Sequence, residues 1–265
     1  MNARDFLKIY WGYDSFREGQ ETIINTITSG RDALAVMPTG AGKSICYQLP
    51  SLMLPGITIV ISPLISLMQD QVKALNEAGI RAAYINSSLT PAQVTKALNF
   101  AAEGKYKIMY VAPERLESAE FLRFAEKADI SLVTVDEAHC ISQWGQDFRP
   151  SYMKIVDFIN SLPQRPVLAA FTATATEEVK EDIECILNLQ NPEVAVTGFD
   201  RKNLFYSVEA VKRETAKRKD NFVLDFVASH ANESGIIYCS TRKSVEAVCE
   251  LLLAKGVAAT RYHAG

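Results

Sequence analysis

Seven short, nearly unbroken apolar runs punctuate residues 1–199, each separated from the next by a stretch of helical periodicity. They are ALAVM (33–37), ITIVIS (57–62), RAAYI (81–85), KIMYVA (107–112), ISLVTV (130–135), VLAAF (167–171) and EVAVT (193–197). A strand with no polar alternation has no face to offer water. Such runs alternating with helices predict a parallel sheet covered on both faces. The intervening segments carry helix signals. Leu64, Leu67, Met68, Val72 and Leu75 repeat at helical spacing. Thr90-Pro91 with Gln93 reads as an N-cap, an N1 proline and a capping-box partner, and Ser29-Gly30 as a helix end. The expected fold class is α/β, a doubly wound parallel sheet, whose ligands bind at the carboxyl ends of the strands.

A second series comes after it. Strands are expected at 204–211, 235–239 and 258–262, and helices at 215–230 and 242–255, the latter on Val245, Val248 and Leu252 and ending at Gly256. The best linker is Gly198–Asn203. The division is therefore 1–199, a complete lobe, and 200–265, too short for another against the usual domain of roughly 100–150 residues.

Composition excludes several classes. With 48% apolar and 22% charged residues the chain is not disordered. A net charge of −3 argues neither for nor against nucleic acid. The most basic run, Lys212, Arg213, Lys217, Arg218 and Lys219, reads as a solvated helix face. Cys46, Cys140, Cys185, Cys239 and Cys249 include no CxxC pair, which predicts no zinc site, no disulfide framework and a reducing, cytoplasmic setting. The N-terminus has no long apolar segment of the secretory kind. Ser44–Gln69 is uncharged and long enough to span a bilayer, but Pro50, Pro55, Gly56 and Pro63 break it into helix end, loop, strand and helix start.

Two motifs carry chemistry. MPTGAGKS (37–44) comes after a strand and opens a helix, which is the setting of a phosphate-binding loop. Thr39, Gly40, Ala41 and Gly42 would turn backbone amides toward phosphate oxygens at the positive end of the helix. Lys43 would reach the β- and γ-phosphates, and Ser44 would offer a hydroxyl to Mg²⁺. The first motif position is Met37 instead of glycine. The second motif ends ISLVTV (130–135) in Asp136 and Glu137, two carboxylates at the rim of the sheet. One can hold the shell of Mg²⁺ and the other can orient or deprotonate water.

DEAH (136–139) with GKS (42–44) resembles superfamily 2 helicases, and further blocks resemble the RecQ DNA helicases. LKIYWGYDSFREGQ (7–20) looks like the family's motif 0, MPTGAGKSICYQLP (37–50) like motif I, ISPLISLMQDQV (61–72) like motif Ia and YVAPERL (110–116) like the next block. CISQWGQDFRPSY (140–152) is similar to the aromatic-rich loop and FTATAT (171–176) to motif III. FDRKNLFYSV (199–208), IIYCSTRK (236–243) and YHAG (262–265) resemble the entry to a second lobe and its first motifs.

The resemblance implies a P-loop, RecA-like first lobe with an incomplete second one. It implies an ATP-dependent 3′→5′ DNA helicase of repair and recombination, using ATP and Mg²⁺ on single-stranded and forked DNA. Tyr13 would stack on adenine, with Arg17 and Gln20 reading its edge. Lys43, Ser44, Asp136 and Glu137 match the hydrolytic set, with Asp136 joining Ser44 on Mg²⁺. Thr172 and Thr174 would link hydrolysis to the strand. Trp144, Phe148 and Arg149 match the loop that senses single-stranded DNA. Stacking with backbone charge is also what gripping a single strand requires, and Trp144, Phe148, Arg149 and Tyr152 offer both. Trp11 and Phe16 are expected to pack, leaving Tyr13 to the nucleotide. The family loop usually has His where this chain has Gln146, which can hydrogen-bond but not carry charge. His139 is either a coupling residue or a neutral hydrogen-bonder. The family's arginine finger lies in a later motif than YHAG. The expectation is a fragment that binds ATP·Mg²⁺ but shows little DNA-stimulated hydrolysis. The alternatives are a nucleotide- and DNA-binding module with little or no helicase activity, and an RNA helicase of the same superfamily.

Overall fold

The computed structural model describes residues 1–198, 204–209 and 216–263. Most of the expected linker, positions 210–211, Lys212 and Arg213, and residues 264–265 of the YHAG segment lie outside the described residues, as do the side chains of Lys217 and Arg218. The chain divides into two compact units, Met1–Asp200 and Arg201–Gly265.

In the first unit all seven expected strands form: β1 (Ala33–Val36), β2 (Ile57–Ile61), β3 (Ala82–Ile85), β4 (Ile108–Val111), β5 (Ile130–Val135), β6 (Val167–Thr172) and β7 (Glu193–Val196). They make one sheet in the order β3-β4-β2-β5-β6-β1-β7, with every pair parallel. The reason lies in how each run divides. Successive strand side chains point to opposite faces. Leu34, Ile59, Met109, Val133 and Leu168 enter one core, while Ala35, Val60, Tyr110, Leu132 and Ala169 enter the other. The first core is closed by α5 (Pro91–Ala102), α6 (Ala119–Ala125), α7 (Lys154–Ser161) and α8 (Glu177–Ile186). The second is closed by α2 (Gln20–Thr28), α3 (Lys43–Met53) and α4 (Ile65–Glu77). The first helix, α1 (Ala3–Trp11), sets Leu7 against Ile24 and Leu49. Edge strand β7 leaves Val194 and Val196 exposed, as a strand with one neighbour can.

Local signals hold where chemistry is local. Thr90 and Gln93 form the reciprocal capping box of α5. Ser29 closes α2, and Gly30 comes next at φ 83°. The expected order of helix end, loop, strand and helix start holds over 44–69, with α3 running through Pro50 to Met53 before β2 and α4. A proline forfeits one helical hydrogen bond, and burial of Leu49, Pro50 and Ser51 offsets that loss here.

The second unit has the expected helices, α9 (Ala216–Ser229) and α10 (Arg242–Ala254), with Cys249 and Leu252 buried. The expected strands are absent among its described residues: 204–209, 235–239 and 258–262 make no ladder. A strand exists only by pairing. Phe205, Tyr206, Val208, Ile236, Tyr238 and Tyr262 instead lie exposed.

Candidate functional site

The central strands β5, β6 and β1 are consecutive in the sheet, so the segments leaving their carboxyl ends meet at one rim. The DEAH turn leaves β5, Thr172 ends β6, and the glycine loop leaves β1. Residues more than a hundred positions apart become neighbours for that reason alone.

In the loop, Gly40 and Gly42 both adopt φ 85°, which side chains rarely tolerate. A Cβ on Gly42 would also lie 2.4 Å from Gln20 Nε2. Helix α3 starts at Lys43, immediately beyond, and Ser44 sits in its first turn. Turning a run of amides toward an anion leaves carbonyls facing away, and these need donors. Buried Gln20 donates Nε2 to Ala41 O (3.2 Å) and Gly42 O (3.1 Å), while its Oε1 accepts the Arg17 amide (2.8 Å). Arg17 donates Nη1 to Gly40 O. The resemblance implied that both side chains read the base. In the structure both also hold carbonyls at the back of the phosphate loop. Tyr13 is 49% exposed, whereas Trp11 and Phe16 pack against the core, as expected.

Asp136 is 5% exposed, and its backbone is held by Ile61 O (2.9 Å) and by the Tyr152 hydroxyl, which donates to Asp136 O (2.8 Å). Burial, reinforced by the Glu137 charge, raises its carboxyl to about 6, with Lys43 pulling the other way. Glu137 has φ 50° and ψ 45°, a left-handed conformation uncommon for a residue with a side chain. That turn carries the chain from β5 into the short helical turn Ala138–Ile141 and sets Glu137 Oε2 3.4 Å from His139 Nδ1.

His139 Nδ1 is also 2.9 Å from Thr172 Oγ1, and that hydroxyl donates to Thr174 O at 3.1 Å. A hydroxyl has one proton to give. With that proton given to Thr174, Thr172 can accept from His139 when the imidazole carries a proton on Nδ1. The DEAH turn and the segment after β6 are thus joined by hydrogen bonds from His139 through Thr172 to Thr174, with Glu137 beside His139.

The aromatic segment leaves the same turn. Trp144 is 74% exposed and Phe148 37%, unusual for side chains of that size. Arg149 directs Nε (2.9 Å) and Nη2 (2.6 Å) at Asp147 Oδ2. Tyr152 departs from expectation. It is fully buried, its hydroxyl is committed to Asp136 O, and it supports the acid instead of offering a stacking face.

The family model described as DEAD/DEAH box helicase matches residues 17–182. The chain belongs to the DEAD/DEAH box helicase family. It is 50% identical over 99% of its length to the ATP-dependent DNA helicase RecQ of Bacillus subtilis (strain 168), covering 44% of that protein. It is 45% identical over 99% of its length to the protein of the same name from Haemophilus influenzae, covering 42%. The chain thus spans less than half the length of these relatives. A solved structure of the DUF1998 helicase MrfA bound to DNA shares the fold, with TM-score 0.71 and 19% identity over 95% of this chain and 38% of that one.

As in a helicase lobe of this family, the donors here fit a magnesium nucleotide. No group of three or more His, Cys, Asp or Glu could hold a metal among the described residues. Mg²⁺ asks for less: one or two protein oxygens, waters and substrate phosphates. Asp136 and Ser44 could supply the protein oxygens, and a buried carboxylate raised to about 6 is one that would gain from a nearby cation. Sequence reasoning missed the supports. Tyr47 and Gln48 lie one turn after Ser44 on α3, and Gln48 Nε2 donates to Gln71 Oε1 and Tyr110 Oη (both 2.8 Å). Helical spacing from Ser44 was the signal that could have found them. No helix among the described residues is long and apolar enough to cross a membrane.

Proposed function

We propose that this chain is the ATP-binding lobe, residues 1–199, and the beginning of the second lobe, 200–265, of a RecQ-type DNA helicase. The complete protein moves 3′→5′ along single-stranded DNA, including the single strand of a fork, and works inside the cell on DNA. The observation that supports this reading best is the continuity of the rim. The acids Asp136 and Glu137, the His139 that meets Thr172, and the exposed Trp144 all lie within residues 136–144.

In this reading the amides of Thr39–Ser44 and the Lys43 ammonium hold the phosphates. Ser44 and Asp136 hold Mg²⁺, which when bound neutralises charge on the transferring phosphoryl group. Glu137 orients the attacking water, and Tyr13 stacks on the base. Arg17 and Gln20 sense the nucleotide through the loop carbonyls they hold. Movement at the phosphates reaches Thr172 and Thr174 through His139, and Trp144, Phe148 and Arg149 receive the strand by stacking and charge.

The test uses the complete protein. Lys43→Ala is expected to abolish hydrolysis. Trp144→Ala is expected to retain basal hydrolysis and lose stimulation by oligothymidylate together with unwinding. Full unwinding by Trp144→Ala would refute the loop assignment. Stimulation by oligouridylate equal to that by oligothymidylate would favour an RNA helicase, and no stimulation by either would favour a binding module.

A further inference from the structure

The aromatic segment has a second attachment to the fold besides the DEAH turn. Ser142 is fully buried between that turn and Trp144. Its hydroxyl donates to Asp182 Oδ2 at 2.6 Å and accepts the Trp144 amide at 3.1 Å. Its carbonyl takes the Gly145 amide at 3.0 Å. Gly145 itself backs onto the turn, for a Cβ there would lie 2.1 Å from His139 O. A hydroxyl that gives its proton to a carboxylate is a stronger acceptor for the amide behind it, so the two bonds reinforce each other.

Asp182 lies in α8, the helix that opens directly after Thr172 and Thr174 and is capped by Thr176, whose hydroxyl accepts the Val179 amide at 3.3 Å. Two cross-links therefore tie the segment after β6 to the segment after β5. His139–Thr172 lies on the side of the acids, and Ser142–Asp182 at the root of the aromatic loop. With one link alone, a shift of the 172–176 segment would leave Trp144 free to stay behind. With both, the loop root is carried along.

We infer that Asp182 is a positioning residue: by holding the Ser142 hydroxyl it sets the orientation of Trp144 and makes the DNA-sensing loop move with α8. This rests on the proposed reading of Trp144 as a DNA contact.

The 265 residues hold two tryptophans, so in a polypeptide of these residues Trp11→Phe leaves Trp144 as the one tryptophan, excited apart from the tyrosines. In that background, Trp144 anisotropy without DNA reports how firmly the loop root is held. Quenching by oligothymidylate reports DNA affinity, and a fluorescent ATP analogue reports the nucleotide site. Asp182→Ala is expected to lower the anisotropy and weaken oligothymidylate binding about three- to tenfold, the loss of part of a charge-assisted hydrogen bond. Nucleotide affinity should stay unchanged. Asp182→Asn keeps an acceptor oxygen and should recover most of the loss, and Ser142→Ala with Asp182→Ala should cost less than the sum of the two single changes, because their shared bond is lost only once while the Trp144 amide loses its acceptor with Ser142→Ala alone. Unchanged anisotropy and DNA affinity in Asp182→Ala would overturn the inference, as would an equal loss of nucleotide affinity, which would signal general unfolding. If Asp182→Ala lowers the anisotropy while oligothymidylate fails to quench even the parent, the positioning of Trp144 stands and the DNA reading falls.

Discussion

Replacing Asp136 by asparagine should make the ligand-free chain more stable relative to the parent as pH rises, although it removes one of the two carboxylates proposed for the hydrolytic site. Asp136 is buried and its carboxyl is raised from 3.8 to about 6, chiefly by that burial and secondarily by Glu137. The folded protein thus binds the Asp136 proton more tightly than the unfolded chain does. Stability from this group is fully present below 3.8, declines as pH rises between 3.8 and about 6, and is lost above. A displacement of this size corresponds to about 2–3 kcal/mol of destabilisation at neutral pH. In Asp136→Asn the side-chain amide does not titrate, and it keeps an Oδ1 to accept the Glu137 amide, a bond of 3.0 Å in the parent. Any constant cost of the swap cancels when stabilities are compared across pH. The assay is urea unfolding followed by circular dichroism, on the parent and Asp136→Asn. The difference in unfolding free energy should shift in favour of Asp136→Asn by roughly 1 kcal/mol between about pH 5 and about pH 7 and level off above. Added ATP·Mg²⁺ should reverse the order, because it stabilises only the protein that binds it. A pH-independent difference, or one that moves the other way, would refute burial as the dominant influence on Asp136.

Two ion pairs give further outcomes. Asp147 occupies the Arg149 guanidinium that a phosphate would otherwise meet, so Asp147→Asn should tighten oligothymidylate binding about threefold at low salt. The gain should shrink as salt is raised, and equal or weaker binding in fluorescence titrations would show that the pair does not compete with DNA. Asp32, at the opposite rim, accepts Arg165 Nη1 (3.2 Å) and Nη2 (2.5 Å) and the amides of Leu168 (2.9 Å) and Gln190 (2.7 Å). Asp32→Ala should cost about 3–5 kcal/mol in urea unfolding, since it strands a charge and two amides. A loss below about 1 kcal/mol would mean that water replaces the carboxylate.

The elements that sequence reading placed well are those whose cause is local or periodic. Continuous apolar runs marked out seven strands because a strand buried on both faces has no other way to be written. The box at Thr90 and Gln93 uses atoms three residues apart. Where the cause was a partner elsewhere in the chain, reading failed. The runs at 235–239 and 258–262 have strand composition, but composition supplies no neighbour to pair with, and the described residues form no ladder there. Tyr152 looked like a stacking residue because it stands beside Trp144 and Phe148, and only the turn Pro150–Met153 swings it under Asp136. That Arg17 and Gln20 hold carbonyls of the phosphate loop was likewise out of reach, because nothing in a sequence shows which way those carbonyls point.

The sequence by itself determined the chemistry available: a lysine and serine behind a glycine loop, two carboxylates ending a buried strand, and aromatics with an arginine just beyond. Those come from residue type and spacing along one chain. The tertiary structure alone decided which of them act together. Strand order sets β5, β6 and β1 side by side, and burial then lifts Asp136 toward neutrality. Hydrogen bonds from His139 to Thr172 and from Ser142 to Asp182 join loops that the chain keeps far apart. Proximity across a sheet is a property of topology, and no local pattern encodes it.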